Sequence, residues 1–314
     1  IKKRTDVRMK GNTQMRILNV VTQKGGTGKS ETVKNLAYGI AQKGYKVLVI
    51  DLDPQANTSA IFLNLHQEMS DVVLDDMKSC IEQIQSQYSS SGINLSTGQI
   101  GIDVLHEYIK KQNTDYDVSD VLLNEELIDK AIRSTEYTNI DILPASIKLI
   151  QTDRALKDSV GADVRLNKAL REHMTHQYDY CIIDNSPVTN ALTINGIVAC
   201  QTNEDIIILP VKIDAGGLEG MDITFQKMKE IKSYQYLDYD FKILFTMRNR
   251  TKVEARVEET IRMLFKNHCF NTNIRYQPSP IVTSSTKGKI LLEMFKDKNV
   301  SKDYMQLVDE IITK

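Results

Sequence analysis

The chain has 314 residues, of which 41% are hydrophobic and 26% are charged, as in ordinary soluble globular proteins. Forty basic and forty-one acidic residues leave a formal charge of −1, so any nucleic-acid partner would have to bind a local basic surface. The sequence shows neither an apolar run long enough to span a membrane nor a secretory signal. The four cysteines form no Cys-x-x-Cys pair, and we expect them to be buried and reduced in a cytoplasmic protein.

The first predicted elements are a short buried strand over 17–21 and a helix whose apolar stripe runs from Val33 to Ile40. Residues 1–15 precede them, and we expect this basic segment to be flexible. A glycine-rich segment, from Lys24 to Ser30, lies between the strand and the helix. Backbone N–H groups and the helix dipole hold phosphate at such a junction. The sequence therefore predicts a phosphate-binding loop.

Each residue type in this loop suits a phosphate ligand. Gly25, Gly26 and Gly28 let the backbone curve closely around an anion. Lys29 would reach the β- and γ-phosphates of a nucleotide, and the Ser30 hydroxyl would coordinate Mg²⁺. The alternative is a plain turn between a strand and a helix, and the flanking elements argue against it.

A second buried strand, over 46–50, ends in a pair of acidic residues. Asp51 and Asp53 are two positions apart, so their side chains face the same way on an extended chain. Beside a triphosphate, such a pair can hold Mg²⁺ and orient an attacking water. For Asp51, the capping of a helix remains open as a purely structural role.

The pattern is less regular between about 64 and 139, where helical periods over 72–84 and 121–132 predict a helical elaboration without a chemical motif. Packed surface helices or a partner contact would both explain it. Beyond it, the sequence predicts strands over 140–144, 180–184, 205–211 and 242–247, and helices over 163–177, 218–234, 253–264 and 301–313. This alternation predicts a single α/β domain over 16–314, with a doubly wound, mostly parallel sheet and helices on both faces.

The strand over 180–184 ends in Asp184, as a Walker B strand does. An aspartate at this position can hold Mg²⁺ directly or through water. An aspartate after aliphatic residues is often only a strand exit. Downstream of a phosphate loop it becomes a strong indication of a metal ligand.

Several motifs resemble one family in the same order along the chain. The segment Lys-Gly-Gly-Thr-Gly-Lys-Ser, from Lys24 to Ser30, resembles the deviant Walker A loop of the ParA/MinD group of ATPases, and Gln23 before it is common in the ParA branch. The stretches 47–59, 142–146, 178–184, 209–211 and 245–251 are similar to ParA segments, and 288–311 resembles the family's ending. Asn185-Ser186-Pro187 departs from the family's Asp-x-Pro-Pro run.

The resemblance implies a P-loop ATP hydrolase that depends on Mg²⁺. ATP would be sandwiched between two subunits, and Lys24 of one would contact the phosphates of the other, as an arginine finger does. Asp53 matches the residue tied to hydrolysis. Thr27 and Glu31 complete the ATP-binding segment, with Glu31 in place of the usual hydroxyl residue near the α-phosphate, and Pro278 is placed near the adenine ring.

The resemblance also implies partners: a second copy of the chain, DNA bound without sequence preference, and a centromere-binding adaptor of the ParB type that stimulates hydrolysis. The expected location is the cytoplasm, on the nucleoid. Sequence-independent DNA binding needs only basic residues along one face. The candidates are Arg248, Arg250, Lys252, Arg256, Arg262, Lys266, Lys287 and Lys289. For any one of them, a solvated surface charge is the simpler interpretation.

Three other functions are weighed against DNA partition. A MinD-like ATPase that cycles on membranes would need a C-terminal helix with a basic face, whereas Val308, Ile311 and Ile312 are expected to pack on the body of the protein. An iron protein of nitrogenase or an amide-forming synthetase could share the scaffold, but Cys181 is expected to face the core rather than a cluster. A sequence-specific repressor would need a DNA-binding domain, for which we expect too few residues ahead of the first strand.

Overall fold

The computed structural model describes residues 14–65, 78–86, 88, 115–174, 177–249 and 251–313. Its seven strands are β1 (Arg16–Val20), β2 (Val47–Leu52), β3 (Arg133–Ser134), β4 (Ile140–Leu143), β5 (Tyr180–Asn185), β6 (Ile206–Lys212) and β7 (Asp240–Thr246). They form one sheet in the order β3-β4-β2-β5-β1-β6-β7. Only β3 runs antiparallel to its neighbour, so the predicted mostly parallel sheet is confirmed.

Strand β1 lies inside the sheet, between β5 and β6. Val20 is in register with Asp184 on one side and Ile208 on the other. The next strand along the chain, β2, lies beyond β5, so the strand order reverses at this point of the sheet. Ligands of open α/β sheets bind at such a point, outside the carboxyl ends of the strands. The sheet therefore places its binding crevice where β1 ends.

Helices cover both faces of the sheet. They are α1 (Lys29–Gln42), α2 (Asn57–Phe62), α3 (Val118–Leu123), α4 (Ile128–Ala131), α5 (Leu149–Lys157), α6 (Arg165–His173), α7 (Ala191–Ala199), α8 (Ala215–Tyr234), α9 (Lys252–Phe265), α10 (Pro278–Thr286), α11 (Leu291–Met294) and α12 (Asn299–Ile312). Alternate strand residues face two separate cores: Ile17 packs with α3 to α8, whereas Leu18 packs with α1, α2, α11 and α12. This is the period-2 alternation of a sheet buried on both faces.

Two predicted helices are shorter or more broken than the sequence suggests. The helix over 121–132 is wrong as a single element, because Asn124 adopts an extended conformation between α3 and a short 3-10 turn, and its side chain accepts from Glu126 N. The helix over 163–177 begins with a 3-10 turn and ends as α6 at His173. The side chain of Asn124 competes for backbone hydrogen bonds, and this interrupts the helix predicted over 121–132.

Among the described residues, five helices have no counterpart in the sequence prediction: α2, α5, α7, α10 and α11. Helix α2 has six residues, which is too few to show a period. Helix α7 is buried nearly all round, so it shows no contrast between an apolar and a polar face. Burial on every side therefore hid this helix from a search for periodicity.

The region between 64 and 139 is described only in part, and residues 1–13 lie outside the described residues. Residues 78–86 are helical, in agreement with the later part of the helix predicted over 72–84, whose residues 72–77 are outside the description. Helices α3 and α4 bury Val118, Val121, Leu122, Ile128 and Ala131 in the first core. These two helices are therefore packed elements of the domain, in line with the simpler of the two interpretations.

The cysteines and the last helix also agree with the sequence analysis. All four cysteines are buried and none forms a disulfide within the described residues. Helix α12 buries Tyr304, Leu307, Val308 and Ile311, and Ile312 packs against the same core. The apolar side of α12 is thus occupied by the protein itself. Within the described part of the chain, we find no helix with the length and apolar character that crossing a membrane requires.

Candidate functional site

The phosphate loop connects β1 to α1 at the centre of the sheet. Gly26 (φ 72°) and Gly28 (φ 85°) have left-handed backbone conformations, which only glycine adopts without strain. No described side chain caps the N-terminus of α1, so its first N–H groups are available to an external acceptor. A 14-residue helix with a free N-terminus at the reversal point of the sheet is suited to holding a phosphate.

Two hydroxyl residues hold the loop, and sequence reasoning missed both. Thr246, at the end of β7, donates to the carbonyl oxygen of Thr27 over 2.8 Å. Thr224, on α8, accepts from Gln23 N over 3.1 Å. They come from distant parts of the chain, and although Thr246 lies in a stretch similar to ParA segments, nothing in the local sequence shows that either threonine contacts the loop. The loop is therefore fixed from two sides.

The two lysines of the loop have opposite surroundings. Lys29 is only 7% exposed, and its ammonium donates to the carbonyl oxygen of Lys24 over 2.9 Å. Burial lowers the pKa of Lys29, while the charges of Asp184 and Asp53 act in the opposite direction. Lys24 is exposed and extends along α8. One lysine thus points into its own loop, and the other is available at the surface.

The buried carboxylates of Asp51 and Asp184 lie opposite each other on β2 and β5. Asp51 Oδ2 accepts from Ser59 N and Ser59 Oγ, over 2.8 and 2.7 Å, and Asp51 Oδ1 accepts from Asp53 N over 3.0 Å. Burial, followed by the charge of Asp184, raises the pKa of Asp51 to about 7. Both oxygens of Asp51 are therefore engaged in hydrogen bonds. This favours a structural role for Asp51 over direct contact with a metal ion.

Asp184 differs, because one of its oxygens has no partner. Its Oδ2 accepts from Thr58 Oγ1 over 2.6 Å, whereas Oδ1 is buried and has no hydrogen bond to any residue that the structure describes. Burial raises the pKa of Asp184, and the bond from Thr58, the nearby Ser30 hydroxyl and the charge of Lys29 act in the opposite direction. A buried carboxylate oxygen without a donor, close to a serine hydroxyl, fits a cation. The site therefore fits a magnesium ion that takes its other ligands from phosphate and water.

Asp53 lies at the start of the turn between β2 and α2 and is half-buried. Its Oδ1 accepts from Gln55 N over 2.9 Å, and its carbonyl oxygen accepts from Ala56 N over 2.8 Å. Its N–H donates to Asp51 Oδ1, and Asp51 is in register with Asp184 on β5, so Asp53 lies at the same end of the sheet as the phosphate loop. Lys29, Asp53 and Asp184 thus lie at one end of the sheet, and their roles at a nucleotide stay predictions.

Glu31 and Pro278 are less directly connected with the loop. The Glu31 side chain forms an ion pair with Lys34 over 2.8 Å and accepts from Asn35 over 2.7 Å, so it is held along α1. Pro278 is exposed at the start of α10. The segment before it is joined to the end of β7 by the hydrogen bond from Tyr276 N to the carbonyl oxygen of Arg248. An adenine contact by Pro278 therefore stays a prediction.

The candidate DNA-binding residues fall into two groups. Arg248, Arg262 and Lys289 form ion pairs: Arg248 with Glu254 and Glu258, Arg262 with Glu258, and Lys289 with Glu136. Lys252, Arg256, Lys266 and Lys287 are exposed, and within the described residues their side chains form no ion pair or hydrogen bond. Arg250 lies outside the described residues. Among the described candidates, these four side chains are therefore the ones whose charge could contact DNA phosphates.

Comparisons with known proteins agree with this geometry. A family model described as "AAA domain" matches residues 15–243. The "Sporulation initiation inhibitor protein Soj" of Bacillus subtilis (strain 168) is 26% identical over 302 residues, covering 94% of this chain and 98% of the relative. The "Chromosome-partitioning ATPase Soj" of Treponema pallidum (strain Nichols) is 28% identical over 266 residues, covering 83% of this chain and 84% of the relative.

Two solved structures show the same fold. A complex of a Cyanothece McdA variant with ATP has a TM-score of 0.70 at 17% identity, covering 96% of this chain and 97% of that one. The cobyrinic acid a,c-diamide synthase of Mycobacterium smegmatis, with bound ATP analog and magnesium, has a TM-score of 0.64 at 20% identity, covering 94% and 93%. The sheet and its glycine loop define a P-loop protein with a deviant Walker A motif. Since the family model also covers well over half of the sequence, the chain belongs to the ParA family of P-loop partition ATPases.

Proposed function

We propose that this chain is a DNA-partition ATPase that acts as a nucleotide-switched homodimer. With ATP and Mg²⁺ it dimerises and binds DNA without sequence preference on the nucleoid. Hydrolysis, stimulated by a centromere-binding adaptor of the ParB type, then separates the subunits and releases the DNA. The similarity to a chromosome-partitioning ATPase of Treponema pallidum supports this assignment.

The observation that carries the proposal is the contrast between Lys24 and Lys29. A single subunit needs one lysine for the β- and γ-phosphates, and the buried Lys29 meets that need. Lys24 is exposed at the same loop, five positions earlier. A cation that extends from the mouth of a phosphate site can reach the nucleotide of a second copy and stabilise the charge that develops during phosphoryl transfer.

The residues of one subunit have separate roles at ATP. The loop from Gly25 to Ser30 and the free end of α1 would hold the phosphates. Ser30 and Asp184 Oδ1 would hold Mg²⁺, which neutralises charge on the phosphate oxygens. Asp53, at the same end of the sheet, would orient the attacking water. Asp51 keeps this turn in place through Ser59 and the backbone of Asp53.

The dimer assay compares wild type with Lys24→Ala, and Lys302→Ala serves as the control because Lys302 is an exposed lysine of α12. Molecular mass is measured by light scattering without nucleotide, with ADP and with ATP. We expect ATP to double the mass of wild type and of Lys302→Ala only. Lys24→Ala should still bind ATP, because Lys29 and the loop backbone are intact. ATP-dependent dimers of Lys24→Ala would refute the proposed contact between subunits.

The DNA assay titrates a duplex of arbitrary sequence over a range of salt concentrations. Binding should require ATP and weaken steeply with salt, because it releases counterions from phosphates. Lys252→Ala/Arg256→Ala should weaken binding to all sequences equally and reduce the salt slope by about one unit for each lost contact. Lys302→Ala again serves as the control. Tight DNA binding without nucleotide, or at high salt, would refute the electrostatic switch.

A further inference from the structure

Thr58 is a buried residue of α2 to which the sequence analysis assigns no role. Its hydroxyl donates a hydrogen bond of 2.6 Å to Asp184 Oδ2. Thr58 is 0% exposed and Asp184 is 1% exposed, so water does not compete for this bond. The other oxygen, Asp184 Oδ1, has no partner in the described part of the chain. The two oxygens of this carboxylate are therefore unequal: one is fixed, and the other is available to a cation.

Thr58 is itself held firmly. Helix α2 begins after Ala56, whose backbone is left-handed (φ 52°) and whose N–H donates to the carbonyl oxygen of Asp53 over 2.8 Å. The next residue, Ser59, is bound to Asp51, and Phe62 at the end of α2 is 1% exposed. The Thr58 hydroxyl is thus attached to a short helix that is fixed at both ends, and it gives Asp184 a rigid support.

We propose that Thr58 is a positioning residue for Asp184, which fixes Oδ2 so that Oδ1 is presented to the magnesium ion of a bound nucleotide. The inference rests on the proposed function, because the nucleotide is what would bring magnesium to this aspartate. Residues that orient a metal ligand from behind typically change metal affinity 10–100-fold when they are replaced. Without the hydroxyl, Oδ2 would be a buried acceptor with no donor, and the carboxylate would lose its preferred rotation.

The test compares Thr58→Val, which removes the hydroxyl and keeps the shape, with Thr58→Ser, which keeps the hydroxyl. Thr272→Val is the control, because Thr272 is equally buried and its hydroxyl has no partner within the described residues. Calorimetry measures the affinity for AMPPNP with and without Mg²⁺, and the ratio is the magnesium gain. We expect Thr58→Val to lower this gain about 10–100-fold, with affinity in the absence of Mg²⁺ unchanged. Thr58→Ser and Thr272→Val should keep the gain of wild type.

A thermal melt of each variant separates positioning from simple support of the fold. If Thr58→Val melts at a lower temperature but keeps the magnesium gain, Thr58 only stabilises the structure and the inference is wrong. A folded Thr58→Ser that loses the gain would overturn it as well, since the hydroxyl is still present. If wild type itself shows no magnesium gain, the proposed function fails, and the inference fails with it. The two kinds of failure are distinguishable: the proposed function fails when wild type shows no magnesium gain, whereas the inference alone fails when wild type shows the gain and the variants behave as described above.

Discussion

Gly216 and Gly220 on α8 give a sharp test of how Lys24 is packed. They are four positions apart, so they lie on one side of the helix, and that side faces the phosphate loop. A Cβ atom at Gly220 would lie 2.8 Å from Lys24 Cβ and 3.4 Å from Lys24 N. A Cβ atom at Gly216 would meet only the end of the same side chain, 2.8 Å from Nζ and 2.9 Å from Cε.

The two alanine substitutions should therefore change the free energy of unfolding in different directions. Carbon atoms in contact are normally about 3.5–4.0 Å apart, so Gly220→Ala must displace the loop backbone, and overpacking of this kind costs about 1–3 kcal/mol. At either position, alanine stabilises the helix by about 0.5–1 kcal/mol relative to glycine, because it has the higher helix propensity. At Gly216 the flexible lysine can move away, so Gly216→Ala should be neutral or slightly stabilising. Because 1 kcal/mol corresponds to about 2–4 °C in a domain of 150–250 residues, the two variants should be separable by melting temperature.

Thermal melts and AMPPNP titrations measure both consequences. Gly220→Ala should melt below wild type and bind AMPPNP more weakly, because the loop that would hold the phosphates has moved. Gly216→Ala should bind AMPPNP as wild type does. The reasoning fails if Gly220→Ala matches wild type in both measurements, or if Gly216→Ala is damaged to the same extent. Either result would mean that Lys24 does not lie along this side of α8.

Three further predictions concern catalysis and stability. Asp53→Ala should bind AMPPNP and dimerise with ATP but release phosphate slowly; release at the wild-type rate would contradict its role. Asp205→Asn should cost about 3–5 kcal/mol in urea unfolding, because it breaks the buried ion pair with Arg171; a loss below about 1 kcal/mol would contradict this. Burial would raise the pKa of Glu258, but hydrogen bonds from Asn273, Arg262 and Arg248 outweigh it and leave this pKa below its ordinary value. Glu258 therefore stabilises the fold above its unfolded pKa of about 4.3, and the urea-unfolding deficit of Glu258→Gln should shrink between pH 7 and pH 3 rather than stay constant.

Local features of the sequence were sufficient for the main frame of the fold. Aliphatic runs such as 180–184 mark strands buried on both faces, and the glycine loop fixes where the first strand ends. The positions of Lys29, Asp53 and Asp184 followed, because the carboxyl ends of parallel strands meet at one edge of the sheet. These inferences depend only on residue type and spacing along the chain.

The partners of the site residues could not be inferred in this way, because they depend on contacts between distant parts of the chain. Thr58 and Asp184 are 126 positions apart, and Thr246 and Thr27 are 219 positions apart. Arg248 looked like a DNA ligand from its charge, but Glu254 and Glu258 on the following helix neutralise it. A basic residue in a sequence shows that charge is present, whereas only the fold shows whether it is already paired.

The phosphate loop combines a fixed backbone with one movable side chain, and this combination bears on how the proposed dimer would form. Three hydrogen bonds hold the loop: Thr224 connects it to α8, Thr246 connects it to β7, and Lys29 connects two of its own residues. The candidate phosphate site is therefore formed within one chain, before any partner binds. Lys24 lies over glycines beside Asp214, whose pKa is lowered mainly by Lys212 and also by the charge of Lys24. To reach the nucleotide of a second copy in the proposed dimer, only the Lys24 side chain would have to move away from α8. Rotating one lysine costs far less than rebuilding a loop, so in the proposed cycle ATP binding and dimerisation would be separate steps, with the first complete in a monomer.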